Sequence, residues 1–393
     1  MSLPDLAPWW WGRTPAALSR ISPSLALSLS DGIHVAAWPS VAELGPPACL
    51  ALGLLAGWTH PGFDVLWSQS LLFMALVAAV GTLSAALGAY LVAGFAVGDW
   101  VFARHQPAFM PDPAPHVFAI HNATLQFRLP LIVGYALLAL LAVRIPMTAK
   151  ALTAQLPLRQ AWSRRARLAV ALLGHAVATL AMVAFWVQAT PVLIRPIFTW
   201  AGDLAPPTDV ITPLQQHGSV VVLAAVVASA VRMIHQFPLA FDPAIQSRFD
   251  RLQAPVLSDD RLRVPPSPRR RWASAIARGA FTTLVAVGIF ANAVEAVVMF
   301  VASTLLYLAL AGVVHIPLGG WARLVGRVPI LIRLVVGVVV IRGVATLVLN
   351  HAAALGGPSD LFRPFVLGTL FTLVVLYLLA APGRQPTPAK ASP

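Results

Sequence analysis

The hydrophobic pattern of this chain consists of long runs without charge, separated by short polar or proline-rich segments. A helix needs ~17–25 predominantly apolar residues to cross a bilayer. Continuous runs of that kind are typical of helices, because the strands of a barrel alternate apolar and polar side chains. The sequence therefore predicts an all-α, polytopic transmembrane helical bundle of about eight spans. We place them at 71–98, 129–147, 168–189, 219–234, 279–296, 297–317, 328–349 and 364–382.

The longest apolar run, 279–317, decides the number of spans. As one straight helix it would be about 58 Å long, nearly twice the ~30 Å thickness of the hydrocarbon layer. We expect it to fold back as two spans, because the basic turn 323–327 then lies on the same side as the other basic segments. One tilted helix is the alternative, which gives seven spans and places the C-terminus outside.

The N-terminal region, 1–64, is predicted to be an interfacial or re-entrant segment. Its apolar piece, 47–58, has only about a dozen residues, which is short for a span, so the sequence leaves a span and a re-entrant or interfacial helix equally open. Trp9, Trp10 and Trp11 beside Arg13 suit the headgroup layer, because indole is apolar with one polar N–H. Residues 65–382 form the predicted transmembrane domain, and 383–393 a disordered tail.

Composition agrees with this class, since 58% of the residues are hydrophobic and only 10% are charged. A soluble globule of this length could not cover so much apolar surface. The abundance of Arg, Ala, Gly and Pro suggests a GC-rich bacterial genome, and hence a bacterial inner-membrane protein. We interpret the net charge of +13 as a determinant of topology, with no nucleic-acid partner.

Arginine positions predict the orientation. The segments 144–167 and 232–278 are rich in basic residues and should be cytoplasmic. Counting spans outward from them puts both termini in the cytoplasm. The bilayer itself, with anionic lipids at its cytoplasmic face, is the expected partner.

The cytoplasmic segment 232–278 contains one predicted helix. Asp242 followed by Pro243 is a helix start, and Pro255 is expected to end it. The apolar residues of one face, with the two arginines beside it, are Ile245, Phe249, Leu252, Arg248 and Arg251. Such a face either lies on anionic lipid or packs on the protein's own spans, and the sequence leaves both open.

Motifs for nucleotide, zinc-protease or dinucleotide chemistry are absent from the sequence, and no cofactor is indicated. A loop predicted to lie outside contains the densest group of candidate metal ligands: His105, Asp112, His116 and His121. Solvated or interfacial histidines are the alternative. His175 lies deep in a predicted span and is expected to be a hydrogen-bonded core residue.

Polar residues inside the spans indicate a functional site, because a charge in the bilayer centre is costly and usually faces a cavity or the bundle interior. Asn292 and Glu295 share one face of a predicted helix, and Arg342 in the next span is the expected partner of Glu295. The alternatives are a structural ion pair, or a turn of the 279–317 hairpin marked by Glu295.

Three functions remain open on the sequence. A transport protein or permease explains the costly carboxylate. A non-catalytic membrane subunit or anchor of a larger complex, with protein partners, explains the missing motifs. A membrane-embedded metalloenzyme would use the external histidines.

Overall fold

The computed structural model describes residues 6–20, 22–59, 71–102, 131–154, 156, 162–200, 214–258, 267–286, 290, 293–311, 325, 328–350 and, in part, 367–378. Every regular element within these ranges is a helix, which confirms the all-α class. Among the described residues, five helices are long and apolar enough to cross a membrane, as in an integral membrane protein: Pro39–Trp58, Leu131–Ala154, Arg164–Pro191, Ser219–Leu239 and Ala293–Leu310. The predicted count of eight spans is not confirmed.

The chain divides into two compact units, Met1–Pro265 and Pro266–Pro393. The helices described in the first unit are α1 (Thr14–Leu18), α2 (Pro23–Ser30), α3 (Pro39–Trp58), α4 (Leu71–Leu83), α5 (Ala85–Phe102), α6 (Leu131–Ala154), α7 (Arg164–Trp200), α8 (Ser219–Leu239) and α9 (Pro243–Leu257). Two further turns are a π-helical one, Trp9–Arg13, and a 3-10 one, Ile33–Ala37. The second unit contains α10 (Pro268–Val285), α11 (Ala293–Leu310) and α12 (Ile330–Asn350).

The N-terminal apolar segment forms a longer helix than predicted. α3 begins at Pro39 and has 20 residues, enough to cross a bilayer, so the prediction of an interfacial or re-entrant segment is not confirmed. The predicted apolar piece began at Pro47, whereas the helix begins eight residues earlier and contains both Pro46 and Pro47.

The predicted span 71–98 is two helices that reverse direction at Ser84. The rings of Phe73 and Phe95, eleven residues before and after Ser84, lie 4.5 Å apart, as expected for an antiparallel pair. A Cβ added at Gly88 would lie 2.6 Å from Cα of Gly81, so the two helices touch beside the turn. The Ser84 hydroxyl accepts a hydrogen bond from the backbone N–H of Leu87 at 3.3 Å and so caps α5.

The long helices of the first unit run alternately in opposite directions. α3 leads away from Asp31, α4 returns to Ser84, and α5 leads away again. α6 returns, α7 leads away and α8 returns, as the contacts His175 to Thr153 and Gly218 to Val187 indicate. We call the end where α3 begins, and where α6 and α8 end, the Asp31 end.

α9 packs on the N-terminal region at the Asp31 end. Phe249 and Leu252 are buried in one cluster with Trp11, while Ile245 packs against its edge. The indole N–H of Trp11 donates to the carbonyl of Ala42 at 2.9 Å. Of the two interpretations of this face, the structure therefore supports the packed one. In this structure protein covers Phe249, Leu252 and Trp11.

The exposed or partly exposed residues of that predicted surface are Trp9, Trp10, Ile245, Arg248 and Arg251. Trp9 is 47% exposed and stacks edge-on against Trp10 at 4.3 Å. Lipid contact remains a prediction for these five residues.

In the second unit, the helical residues described in the run 279–317 belong to the end of α10 and to α11, which pack side by side. The hydroxyls of Thr282 and Tyr307 lie 3.2 Å apart, and Ser303 Oγ lies 3.5 Å from the carbonyl of Gly279. α10 ends at Val285 and α11 begins at Ala293, whereas the predicted boundary between the two spans was at 296–297. α10 carries three arginines in its first turn and Arg278 near its middle, and it is not among the five candidate spans.

Candidate functional site

The predicted intramembrane site is only partly described. Asn292 lies outside the described residues. Glu295 is half-buried in the first turn of α11, where a carboxylate interacts favourably with the partial positive charge of the helix N-terminus. Arg342 is exposed on α12. A pairing of Glu295 with Arg342 stays a prediction.

Of the predicted histidines, only His175 is among the described residues. His105, Asp112, His116 and His121 lie outside the described residues. Within the described part of the chain, no three metal-ligating side chains converge. His175 is buried on α7, with Nδ1 3.2 Å from the hydroxyl of Thr153.

The strongest concentration of charge lies elsewhere, around Asp31, between α2 and the turn Ile33–Ala37. Arg232 of α8 donates from Nη2 to both carboxylate oxygens of Asp31, at 3.0 Å and 3.1 Å. Lys150 of α6 donates from Nζ to Oδ1 at 2.6 Å. The side chains of Asp31 and Arg232 are each 1% exposed, whereas that of Lys150 is 49% exposed.

The remaining donors of Arg232 are also engaged. Nη1 donates to the carbonyl of Thr82 at 3.0 Å, and Nε faces Oε1 of Gln236 at 3.4 Å. The Thr82 carbonyl is available because α4 ends one residue later, at Leu83, and the last carbonyls of a helix have no N–H partner within it. A guanidinium at this helix end also complements the helix dipole.

Two features of the structure require glycine at position 32, which lies next to Asp31 and against Ser84. Its φ of 81° is in the left-handed region that glycine adopts without strain. A Cβ there would also overlap the side chain and Cα of Ser84. Ser84 in turn donates to the carbonyl of Asp31 at 3.3 Å, so the turn between α4 and α5 is attached to the charged cluster.

Two histidines border the cluster. His34 is 3% exposed, and its ring centre lies 5.7 Å from that of His235, which in turn lies 4.4 Å from the ring of Trp38. Burial lowers the pKa of His34 to about 3, with a further contribution from Arg232, so the ring is neutral at neutral pH.

Two opposing effects fix the charge of Asp31. Burial by itself raises the pKa of its carboxyl group, but Arg232 and Lys150 outweigh burial and hold that pKa well below its usual value. The carboxylate is therefore ionised. With two cations around one anion and a neutral His34, the cluster has an excess of positive charge.

Sequence reasoning missed this cluster. Arg232 and Lys150 were counted only as determinants of orientation, and Asp31 lay in a segment expected to be interfacial. One signal was present, since Asp31 is the sole formal charge between Arg20 and Glu43. Its main partner is 201 residues away in sequence, and no local pattern shows that contact.

A second buried carboxylate lies toward the opposite end of the first unit. Asp99 on α5 is fully buried and accepts a hydrogen bond from the hydroxyl of Tyr135 on α6. The surface beside it has a shallow, open groove of about 260 Å³ with an apolar lining: Ala96, Val97, Trp100, Val101 and Tyr135. An apolar lining of this kind fits hydrocarbon better than a polar solute.

Comparison with known proteins gives no relative from which a function could be inferred. No protein-family model, no curated protein and no solved structure matches this chain.

Proposed function

We propose that this protein is a proton-coupled transporter, a permease of the bacterial inner membrane, and that Asp31 is its coupling carboxylate. The observation that carries the proposal is a fully buried, ionised carboxylate bound by cations from two different membrane helices, α6 and α8. Ionisable groups buried in a membrane bundle are costly, and they commonly mark pathways for ions or substrates.

Coupling follows from the two opposing effects on the Asp31 carboxyl. While Arg232 and Lys150 contact it, the group is ionised. If α6 and α8 move so that both cations withdraw, burial is the remaining influence, and it favours the protonated acid. A carboxyl that alternates between these two environments binds and releases one proton in each cycle, which is what coupling to a proton gradient requires.

The cluster replaces Glu295 as our first candidate for this role. Glu295 lies in the first turn of a helix, where the partial positive charge of the helix N-terminus stabilises a carboxylate. Asp31 has no such support and depends on α6 and α8. Asn292 and Glu295 remain a second candidate polar site.

The transport proposal is tested by proton movement in reconstituted vesicles. Purified protein is placed in liposomes that contain a pH-sensitive dye, an inward proton gradient is imposed, and the small-molecule fraction of a bacterial cell extract is added. We expect extract-dependent proton uptake by the wild type. Asp31→Asn should reduce this uptake to the rate of protein-free vesicles, because an amide cannot carry the proton.

Asp250→Asn is the matched control, since Asp250 is an exposed carboxylate on α9. It should transport like the wild type. The proposal fails if the wild type moves no protons with any fraction of the extract, or if Asp31→Asn transports at the wild-type rate.

The orientation that we propose places the Asp31 end in the cytoplasm. Lys150, Arg164 and Arg232 all lie at this end, where the guanidinium of Arg164 sits 4.7 Å above the ring of Phe241. Compared with the predicted spans, the reversal at Ser84 adds one membrane crossing and α3 adds another. Two additional crossings cancel, so the N-terminus stays on the cytoplasmic side that the positive-inside rule predicts.

Cysteine labelling tests this orientation in a Cys49→Ser background. Ser247, exposed on α9, lies at the Asp31 end, and Thr59, exposed after α3, lies at the other. In intact cells with a permeable outer membrane, Thr59→Cys should react with an impermeant thiol reagent, and Ser247→Cys should react only after lysis. The reverse pattern would contradict the orientation.

A non-catalytic subunit of a membrane complex is the second candidate. The open apolar groove beside Tyr135 favours it, because an apolar surface groove suits contact with an apolar helix of another membrane protein. Purification in mild detergent distinguishes the two. A stoichiometric protein partner, together with no proton uptake in the vesicle assay, would support the subunit.

A further inference from the structure

We propose that the cations of the Asp31 cluster form a binding site for a small carboxylate anion, which the Asp31 side chain occupies while no substrate is bound. This inference rests on the transport function proposed above and names its substrate class. While no substrate is bound, the Asp31 carboxylate occupies the position that the carboxylate of the substrate would take.

The arrangement of donors carries the inference. Arg232 Nη2 contacts both oxygens of Asp31, and Lys150 Nζ contacts one of them. The other donors of Arg232 are held by the Thr82 carbonyl and by Gln236. Of the three guanidinium nitrogens, only Nη2 therefore faces an anion, and it contacts both oxygens of one planar carboxylate. Such charge-assisted hydrogen bonds are the strong ones.

The same geometry disfavours phosphate. The carboxylate position is contacted by two cationic donors, Arg232 Nη2 and Lys150 Nζ, which serve the two oxygens of a carboxylate. A tetrahedral phosphate has further charged oxygens, for which the described contacts provide no third cation. With one carboxylate bound, the cluster keeps the net charge that it has with Asp31 in place, so no second negative charge is required.

Access to this site is provided by Lys150, since nearly half of its side chain is exposed while Asp31 and Arg232 are buried. An anion can first meet Lys150 at the surface and then exchange with Asp31 on Arg232. The charged and titratable groups that interact with Asp31 during this exchange are Arg232, Lys150, His34 and His175, and His235 lies against His34.

Each exchange takes up one proton and one substrate anion. A solution proton binds an Asp31 oxygen, the neutral acid leaves Arg232 and Lys150, and the substrate carboxylate takes its place. The charge of the cluster is unchanged, because one carboxylate replaces another. Release of both at the other side of the membrane returns Asp31 to the two cations.

Binding can be tested without any transport. Thermal unfolding of Asp31→Asn is measured with sodium formate or acetate, against sodium chloride and inorganic phosphate at matched pH and ionic strength. We expect the carboxylates to raise the unfolding midpoint by roughly 3–6 °C over chloride, because they fill the vacated position on Arg232. Adding Arg232→Gln should abolish the rise.

No rise over chloride, or a larger rise with phosphate than with acetate, would overturn the carboxylate assignment. If Asp31→Asn does not fold, the wild type decides. Calorimetric titration with acetate in buffers of different ionisation enthalpy should then show about one proton taken up per anion bound, as expected for linked binding. Binding without proton uptake, or no binding, contradicts the exchange.

The two proposals can fail separately. Carboxylate binding without extract-driven proton uptake would refute the transporter and leave the anion site. Proton uptake without carboxylate binding would keep the transporter and refute this substrate class.

Discussion

Replacing Arg232 with Met should lower the free energy of unfolding by about 3–5 kcal/mol, the largest effect that we expect from a single substitution in this protein. The methionine keeps most of the volume but removes the donors that bind Asp31 and the Thr82 carbonyl. Asp31 would then remain buried with Lys150 as its only cation among the described contacts. Denaturation in detergent, followed by tryptophan fluorescence, measures the loss.

Lys150→Met is the matched control within the same cluster. It also removes a cation from Asp31, but its side chain is half-exposed and solvent screens the interaction, so we expect a cost of about 1 kcal/mol or less. In the double variant Asp31→Asn with Arg232→Met, the uncompensated charge is gone, and more than half of the loss should be recovered. Equal costs for Arg232→Met and Lys150→Met would show that burial does not strengthen this ion pair.

The sequence predicted the elements of this fold better than their contacts. The apolar runs predicted four of the five candidate spans, and each predicted span has at least one end within a few residues of the observed helix end. Helix length and hydropathy can be predicted in this way because they are local properties of the sequence. The reversal at Ser84 was missed for the opposite reason. An apolar run of 28 residues looks continuous until Gly81 and Gly88 are seen to touch, and that is a tertiary contact.

The candidate site shows the same limit. α9 was predicted with its N-cap and its apolar face, and the structure has Asp242 accepting hydrogen bonds from the N–H groups of Ala244 and Ile245. What covers the face could not be predicted, since Trp11 is more than 230 residues away in sequence. The pairing of Asp31 with Arg232 is equally remote. A single sequence shows each partner's cost of burial but not which opposite charge compensates it.

The second large effect that we expect is a loss of stability when the close contact between α3 and α5 is disturbed. Gly53 and Gly57 of α3 face the backbone of Leu91 and Phe95, and Gly94 of α5 faces the backbone of Leu50. Later residues of α3 contact later residues of α5, so the two helices run in the same direction. This agrees with the alternating directions of α3, α4 and α5. Where glycines are spaced four apart on each helix, the backbones approach without intervening side chains.

We therefore expect Gly53→Ala and Gly94→Ala each to lower the free energy of unfolding by about 1–3 kcal/mol, since overpacking forces backbone to move. A Cβ at either position would overlap a backbone carbonyl of the facing helix, and a backbone atom cannot rotate away as a flexible side chain can. Substitution of both residues should cost more than either alone. Urea denaturation in detergent and the yield of folded protein measure these losses.

Gly343→Ala is the control, because a Cβ there meets nothing within 4 Å. Alanine has the higher helix propensity, so this substitution should stabilise α12 by roughly 0.5–1 kcal/mol. The opposite signs separate packing from propensity, since all three substitutions add the same methyl group to a helix. If Gly53→Ala and Gly94→Ala also proved neutral or stabilising, α3 and α5 would have to pack with their backbones farther apart, and the first unit would lose the contact that places α3 beside the hairpin of α4 and α5.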